Sequence, residues 1–208
     1  MNLPIYRSAW PFPGKQIKKI SLFFLTIVFI VGCGGLNFSQ ISPEARNFHP
    51  KTIAILPATV GQYESARDVV DVAASKNLAN RGWFDNVIDV TSIKAQTSRT
   101  PELANDLSAY IQRINTLGIS DSEMAKRLHN RLKADALFLT YITSWGYGRM
   151  EGNKVGRVGL GLKLVDASKG TIIWKANHEL TEDYLLFKPK LDNIADDVLE
   201  VLLDEMPH

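Results

Sequence analysis

The sequence is short of the residues that carry most enzyme and metal chemistry. It contains a single cysteine, Cys33, so one chain cannot form a disulfide, a C-x-x-C redox pair or a multi-cysteine zinc site. It contains four histidines, which are far apart in sequence: His49, His129, His178 and His208. The patterns H-E-x-x-H and G-x-S-x-G do not occur. We therefore predict a non-enzymatic protein with no catalytic residues, no metal site and no cofactor.

Glycine pairs give little support for a phosphate-binding loop. Gly146 and Gly148 form one G-x-G pair, and Gly159 and Gly161 form another. Neither pair has the third glycine or the strand-to-helix context of a nucleotide-binding motif. Gly159 and Gly161 instead fall in a segment of alternating residues typical of a strand. There they predict curvature or a neighbour that packs closely against the backbone.

One long apolar run stands near the start of the chain. Residues 20–31 (ISLFFLTIVFIV) are rich in apolar side chains, and three lysines lie between positions 15 and 19. A basic segment, a short apolar segment and a small residue are typical of a secretory signal peptide, predicted here at residues 1–32. An uncleaved membrane anchor is the alternative, but it would need about 20 apolar residues. A signal peptide without lipid would show an A-x-A-like cleavage site, and none is present.

The residues that end this run, Ile30-Val31-Gly32-Cys33, resemble a bacterial lipobox. The resemblance implies cleavage between Gly32 and Cys33 and attachment of acyl chains such as palmitate to Cys33. Its implied partner is a lipid bilayer, bound through those chains. Gly34 occupies the position where an Asp would retain a lipoprotein in the inner membrane, so we expect an outer-membrane location facing the periplasm.

Cleavage would change the charge of the chain. Residues 1–32 carry four basic residues and no acid, so the formal net charge falls from +2 to −2 when they are removed from the 208 residues. The remaining 176 residues are enough for one domain with a sizeable core. A mildly acidic domain offers no basic patch for nucleic acid, so we expect no nucleic-acid partner.

The rest of the chain predicts a flexible tether at 33–50, rich in glycine, serine and proline, and a single α/β (α+β) domain at 51–206. Expected strands lie at 52–58, 87–90, 136–145, 157–164 and 171–176, and expected helices at 65–81, after Pro101, after Ser120 and at 191–203. Residues 91–100 are interpreted as a polar connection. An early βαβ unit followed by an antiparallel meander predicts one mixed sheet with helices packed on it.

Two segments are candidate interaction surfaces. The predicted hairpin tip at 146–156 and its flank carry Trp145, Tyr147, Arg149 and Met150, which are residue types enriched at interface cores. Residues 184–187 (YLLF) form an apolar cluster without clear periodicity. The alternative for both segments is that they fold back onto their own domain.

Three segments resemble bacterial lipoproteins of unknown function, of the meningococcal surface-antigen lipoprotein type. They are KTIAILPATV, LKADALFLTYITSWGYG and LGLKLVDASKGTIIWKANHE, and the resemblance covers roughly residues 50–205. It implies a fold similar to the curli-secretion lipoprotein and the amino-terminal domain of TolB. It also implies a periplasm-facing domain in an envelope assembly, with an envelope protein partner or a homo-oligomer. The tip is too short for membrane-spanning strands, so we expect no self-made pore.

The leading hypothesis is therefore a membrane-anchored lipoprotein that serves as a non-enzymatic component of an envelope export or assembly complex. The alternative is a periplasmic binding module for a small molecule or peptidoglycan. That module would need an apolar pocket with a few polar groups, for which Tyr141, Trp145 and Trp174 are the candidates.

Overall fold

A six-stranded mixed sheet, in the order β1-β6-β5-β4-β2-β3, forms the centre of the fold. The computed structural model describes residues 36–208, so the predicted signal peptide, Gly32 and Cys33 lie outside the described residues. Its strands are β1 (Phe38–Ile41), β2 (Thr52–Ile55), β3 (Asn86–Ile88), β4 (Ala136–Met150), β5 (Asn153–Asp166) and β6 (Thr171–Tyr184). Its α-helices are α1 (Arg67–Arg81), α2 (Val90–Arg99), α3 (Pro101–Leu117), α4 (Ser122–Leu132) and α5 (Leu191–Leu203). The single mixed sheet predicted from the sequence is confirmed.

The central strand β2 shows how the apolar pattern places the two helix layers. β2 pairs in parallel with β3 and β4, while the other pairs are antiparallel. Ile53 and Ile55 belong to the core formed with α1 and α5, whereas Ala54 and Leu56 belong to the core formed with α2, α3 and α4. Because successive strand residues point to opposite faces, a continuous apolar run buries both sides of the sheet.

The predicted flexible tether is corrected by strand β1. Phe38–Ile41 pairs antiparallel with β6, and a 3-10 helix follows at Pro43–Asn47. The compact unit therefore begins at Leu36 and not at residue 51. All four residues of β1 are exposed, so this edge strand has no hydrophobic pattern, and backbone pairing with β6 holds it in place.

The helix at α2 corrects the interpretation of residues 91–100 as a connection. The Asp89 side chain accepts a hydrogen bond from the Ser92 amide at 2.7 Å and caps the helix. Only Val90 and Ile93 of this helix are buried. Two buried residues give a weak periodic signal, which explains why the sequence suggests a polar loop.

Two of the predicted helices, those at 65–81 and after Ser120, are not capped by the serines at which they were expected to begin. Helix α1 follows a short 3-10 helix, and its N-cap, Ala66, makes no side-chain hydrogen bond, so Ser65 does not cap it. Helix α4 is capped by Asp121 and not by Ser120. Gly82 and Gly118 do end their helices in the left-handed conformation, as their positions predict.

The β4–β5 hairpin is longer than the sequence suggests. Its strands reach Met150 and start again at Asn153, so the predicted tip at 146–156 is mostly strand. The turn itself is Glu151-Gly152, with φ of 50° and 88°. Positive φ at both turn residues matches the right-handed twist of the hairpin, and glycine takes the second position without strain. In residues 36–208, no helix is both long and apolar enough to span a membrane.

Candidate interaction surfaces

The residues predicted at the hairpin tip do not all point outwards. Trp145 is partly buried and packs against the core shared with α1 and α5. The Tyr147 hydroxyl donates a hydrogen bond to the Pro189 carbonyl at 2.7 Å. Arg149 donates to the Gly152 carbonyl at 3.4 Å, and Met150 is exposed. Trp145 and Tyr147 thus contribute to the domain itself, while Met150 and the Arg149 guanidinium remain at the surface.

The loop after β6 exposes three consecutive apolar side chains beside this tip. Leu185, Leu186 and Phe187 are 88%, 86% and 88% exposed. Lys154 of the tip pairs with Tyr184 across the β5–β6 ladder, which brings the loop next to the turn. We call Leu185, Leu186 and Phe187 the apical patch. Adjacent large apolar residues with such exposure are uncommon on a monomeric surface and mark interaction sites.

The base of this loop is held firmly. The Tyr184 ring packs edge-on against Tyr147 at 6.0 Å, and the Lys188 ammonium lies 4.6 Å from the centre of the Tyr147 ring. A side chain at Gly156 would come within 2.8 Å of the Pro189 ring, so glycine lets the loop return against the strand. The apolar side chains are therefore presented by an anchored loop.

A second surface lies where helices α2–α4 leave part of the sheet uncovered, and it was not predicted from the sequence. Strand register aligns Leu139, Lys163, Lys175 and Gln40 in one row across four strands. The next row aligns Tyr141, Gly161, Asn177 and Phe38. Directly opposed residues of an antiparallel pair share one face. We call Phe38, Tyr141, Lys163, Lys175 and Asn177 the open face.

Gly161 allows an aromatic ring to lie flat on the open face. A Cβ atom at this position would overlap the Cζ, Oη and Cε1 atoms of Tyr141. Burial raises the pKa of Tyr141, and the Asn177 side chain beside it partly offsets that rise. The close packing predicted at Gly161 from its strand position is confirmed, and the neighbour is this ring.

The pocket suggested for a small-molecule module does not form. Trp174 is fully buried in the core with α1 and α5, where its Nε1 donates to the Ser39 hydroxyl at 3.2 Å. Tyr141 lies on the opposite face of the sheet. It pairs with Gly161, whereas Trp174 pairs with Leu164, and residues three apart in β5 point to opposite faces. The three side chains Tyr141, Trp145 and Trp174 therefore do not line one cavity.

The structure brings together no catalytic set among residues 36–208. His178 is buried in β6, burial lowers its pKa, and its Nδ1 has no hydrogen-bond partner within this part of the chain. The Nδ1 of His129 donates a hydrogen bond to the Ala134 carbonyl, just beyond its own helix, at 2.7 Å. No group of three His, Cys, Asp or Glu side chains is placed to hold a metal ion in the described region.

Comparisons with known proteins find solved structures with a similar fold. No family model matches the sequence, and no curated protein matches it. Lipoprotein GNA1162 from Neisseria meningitidis matches with a TM-score of 0.52 and 15% identity, over 76% of this chain and 100% of that chain. The PelC dodecamer from Paraburkholderia phytofirmans matches with a TM-score of 0.49 and 15% identity, over 77% and 92%. The LpoB C-terminal domain from Salmonella enterica matches with a TM-score of 0.33 and 15% identity, over 67% and 89%.

At this identity the likeness to GNA1162 describes the fold alone, and it agrees with the fold that the sequence resemblance implied. The chain has the fold of a meningococcal lipoprotein.

Proposed function

We propose that this protein is a membrane-anchored bacterial lipoprotein and a non-enzymatic component of a cell-envelope export or assembly complex. Acyl chains on Cys33 would hold it at a bilayer, by default the outer membrane with the domain in the periplasm. The apical patch would dock an envelope protein. The observation that carries this proposal is the exposure of Leu185, Leu186 and Phe187 on an anchored loop.

The patch exposes enough apolar surface to contribute substantially to the free energy of binding a partner. Burying one Leu or Phe side chain contributes about 1.5–3 kcal/mol, so three of them can supply roughly 5 kcal/mol or more. That is a large share of the free energy of a micromolar complex, about 8 kcal/mol. Left in water, the same surface would favour non-specific association, so a partner explains why it is exposed.

The charges around the patch favour a protein partner over an anionic membrane. The segments 149–154 and 182–192 carry four cations (Arg149, Lys154, Lys188 and Lys190) and four anions (Glu151, Glu182, Asp183 and Asp192). Attraction to anionic lipid needs an excess of Lys and Arg. A mixed polar rim around an apolar centre is instead typical of protein interfaces.

In-cell photo-crosslinking tests the partner. A photoreactive amino acid at Leu186 is expected to give an adduct heavier than the chain, with the mass of one defined envelope protein. The matched control is Val72, an exposed apolar residue on α1, which is expected to give none. Labelling of lipid alone would refute a protein partner. An adduct of twice the chain's mass would show that the partner is a second copy of this chain and not another envelope protein.

Lipidation is tested separately. Metabolic labelling with palmitate is expected to mark the chain and to be lost in Cys33→Ser. That variant should keep residues 1–32, because the sequence offers no A-x-A-like site for cleavage without lipid. Replacing Gly32 by a bulky residue such as Trp should slow cleavage before Cys33, so the unprocessed form accumulates. A wild-type chain that carries no palmitate label and keeps residues 1–32 would show that an uncleaved anchor holds it.

A further inference from the structure

Two lysines on the open face lie directly opposite each other without an acidic partner. Lys163 and Lys175 are a cross-strand pair in the β5–β6 ladder. Among residues 36–208, neither ammonium group has a carboxylate oxygen within 4.0 Å. Like charges placed opposite each other destabilise a sheet, so a bound anion between them would relieve a repulsion that the described protein does not neutralise.

Lys163 is the more unusual of the two, because only 9% of it is exposed. Its ammonium donates one hydrogen bond, to the Ile114 carbonyl at 3.3 Å, and lies 5.2 Å from the centre of the Tyr141 ring. Ile114 is near the carboxyl end of α3, where the helix dipole is negative. These partners are all neutral, whereas buried lysines are normally paired with an acid. Burial and the neighbouring Lys175 both lower the pKa of Lys163.

The acid nearest in register is already engaged. Glu179 lies on the same side of the sheet, one row beyond Asn177, where it aligns with Gly159. One carboxylate oxygen accepts a hydrogen bond from the Ser144 hydroxyl at 2.5 Å, and the other lies 3.9 Å from the Arg157 guanidinium. Glu179 therefore does not neutralise the lysine pair.

Other groups around the pair suit a bound molecule. Lys175 lies over the ring of Phe38, at 5.7 Å from its centre, and Asn177 offers an amide beside Tyr141. Two ammonium groups supply up to six N–H donors, of which one meets Ile114. Rings on either side offer flat apolar contact to whatever carries the charge.

From this geometry we propose that the open face binds an oxyanion, the carboxylate or phosphate of a small anionic ligand, between the ammonium groups of Lys163 and Lys175. The ligand would supply the negative charge that the described protein does not, and its carbon skeleton would rest on Tyr141 and Phe38. This site lies on β1, β4, β5 and β6 and does not depend on the apical patch or its partner.

Nuclear magnetic resonance titration of the full lipidated chain in detergent tests the site. The probes are inorganic phosphate and glucuronate, with glucose as the neutral match for glucuronate. Saturable shifts are expected for the amide signals of Lys163, Lys175 and Asn177, with one of the two anions binding below about 5 mM. Whichever anion binds more tightly identifies the ligand as a phosphate or a carboxylate. Equal shifts with glucose, or no saturation with either anion, would overturn the proposal.

Variants separate the site from a general charge effect. Lys163→Met keeps the buried stem and removes the charge, and it should weaken binding at least about tenfold, as expected for a charge-assisted hydrogen bond. Lys175→Gln should do the same at a less buried position, and it remains informative if Lys163→Met does not fold. Lys154→Met, at the exposed hairpin tip, should bind normally. Unchanged affinity in the Lys175→Gln variant, or an equal loss in Lys154→Met, would refute the assignment.

Discussion

Adding one methyl group at Gly161 should be costly only while Tyr141 is present. A Cβ atom there would overlap three atoms of the Tyr141 ring, so the ring must leave its place on the open face. Moving it exposes apolar surface that lies against the sheet. Overpacking of this kind costs about 1–3 kcal/mol. We expect Gly161→Ala to lower the free energy of unfolding by about 2–3 kcal/mol.

The same substitution should change sign when the ring is removed. In a Tyr141→Ala background the three atoms nearest to the methyl group are gone, and alanine in a strand interior is favoured over glycine by about 0.5–1 kcal/mol. A double-mutant cycle should therefore give a coupling free energy of roughly 3 kcal/mol between positions 141 and 161. Coupling of this size would show that Gly161 is required by the ring and not by backbone flexibility.

Urea unfolding of the full chain, followed by circular dichroism, measures each corner of the cycle. Gly148→Ala is the matched control, since it changes another β4–β5 hairpin glycine around which no atom lies within 4 Å. It should raise the unfolding free energy slightly, by about 0.5–1 kcal/mol, because alanine is favoured over glycine in a strand where nothing obstructs the methyl group. An equal cost of Gly161→Ala in both backgrounds would refute the argument, because the ring would then not be the obstacle.

Three further perturbations test the local structure. Gly170→Ala should lower the free energy of unfolding by about 3 kcal/mol in a thermal unfolding assay, because φ is +74° and a Cβ would overlap the Ser122 backbone. Gly82→Ala, at φ +65° in open space, should lower it by only about 1 kcal/mol in the same assay. Burial raises the pKa of Tyr110 to about 12, so only the unfolded chain ionises this hydroxyl between pH 10 and 12. The free energy of unfolding should therefore fall by roughly 2–3 kcal/mol over that range, with tyrosine ionisation followed at 295 nm. In Tyr110→Phe this part of the fall should be absent. Asp89→Ala should cost about 1 kcal/mol in urea unfolding by removing the cap of α2.

Elements buried on both sides were the ones that the sequence predicted well. β2 and the first half of β4 consist of nearly continuous apolar residues, and only a central strand needs such a run. The elements that it missed are those with little buried surface. β1 has no buried residue and α2 has two, so neither carries a usable hydrophobic period.

Surfaces were predicted less completely than the fold, for two different reasons. The apolar cluster at 184–187 stood out because it fits no periodic element, and its exposure supports its interpretation as a contact site. Trp145 and Tyr147 are residue types that are common at interfaces. Residue type alone does not predict that the Tyr147 hydroxyl donates a hydrogen bond to the Pro189 carbonyl of its own domain. Lys163 and Lys175 are twelve positions apart, and each alone resembles an ordinary surface lysine.

One irregularity in the sheet decides where those lysines lie. Beyond the β5–β6 turn, Val165 pairs with Ile172, but the next pair is Leu164 with Trp174, so β6 contains one extra residue, Ile173. In a regular ladder Lys163 would oppose Trp174, which would put the indole ring on the open face and turn Lys175 into the core. The bulge reverses the faces of everything that follows it in β6, so the same extra residue buries Trp174 and brings Lys175 opposite Lys163. Burial of Trp174 thus stabilises a register that also creates a cationic pair, and no pattern of alternation in the sequence reports such a shift.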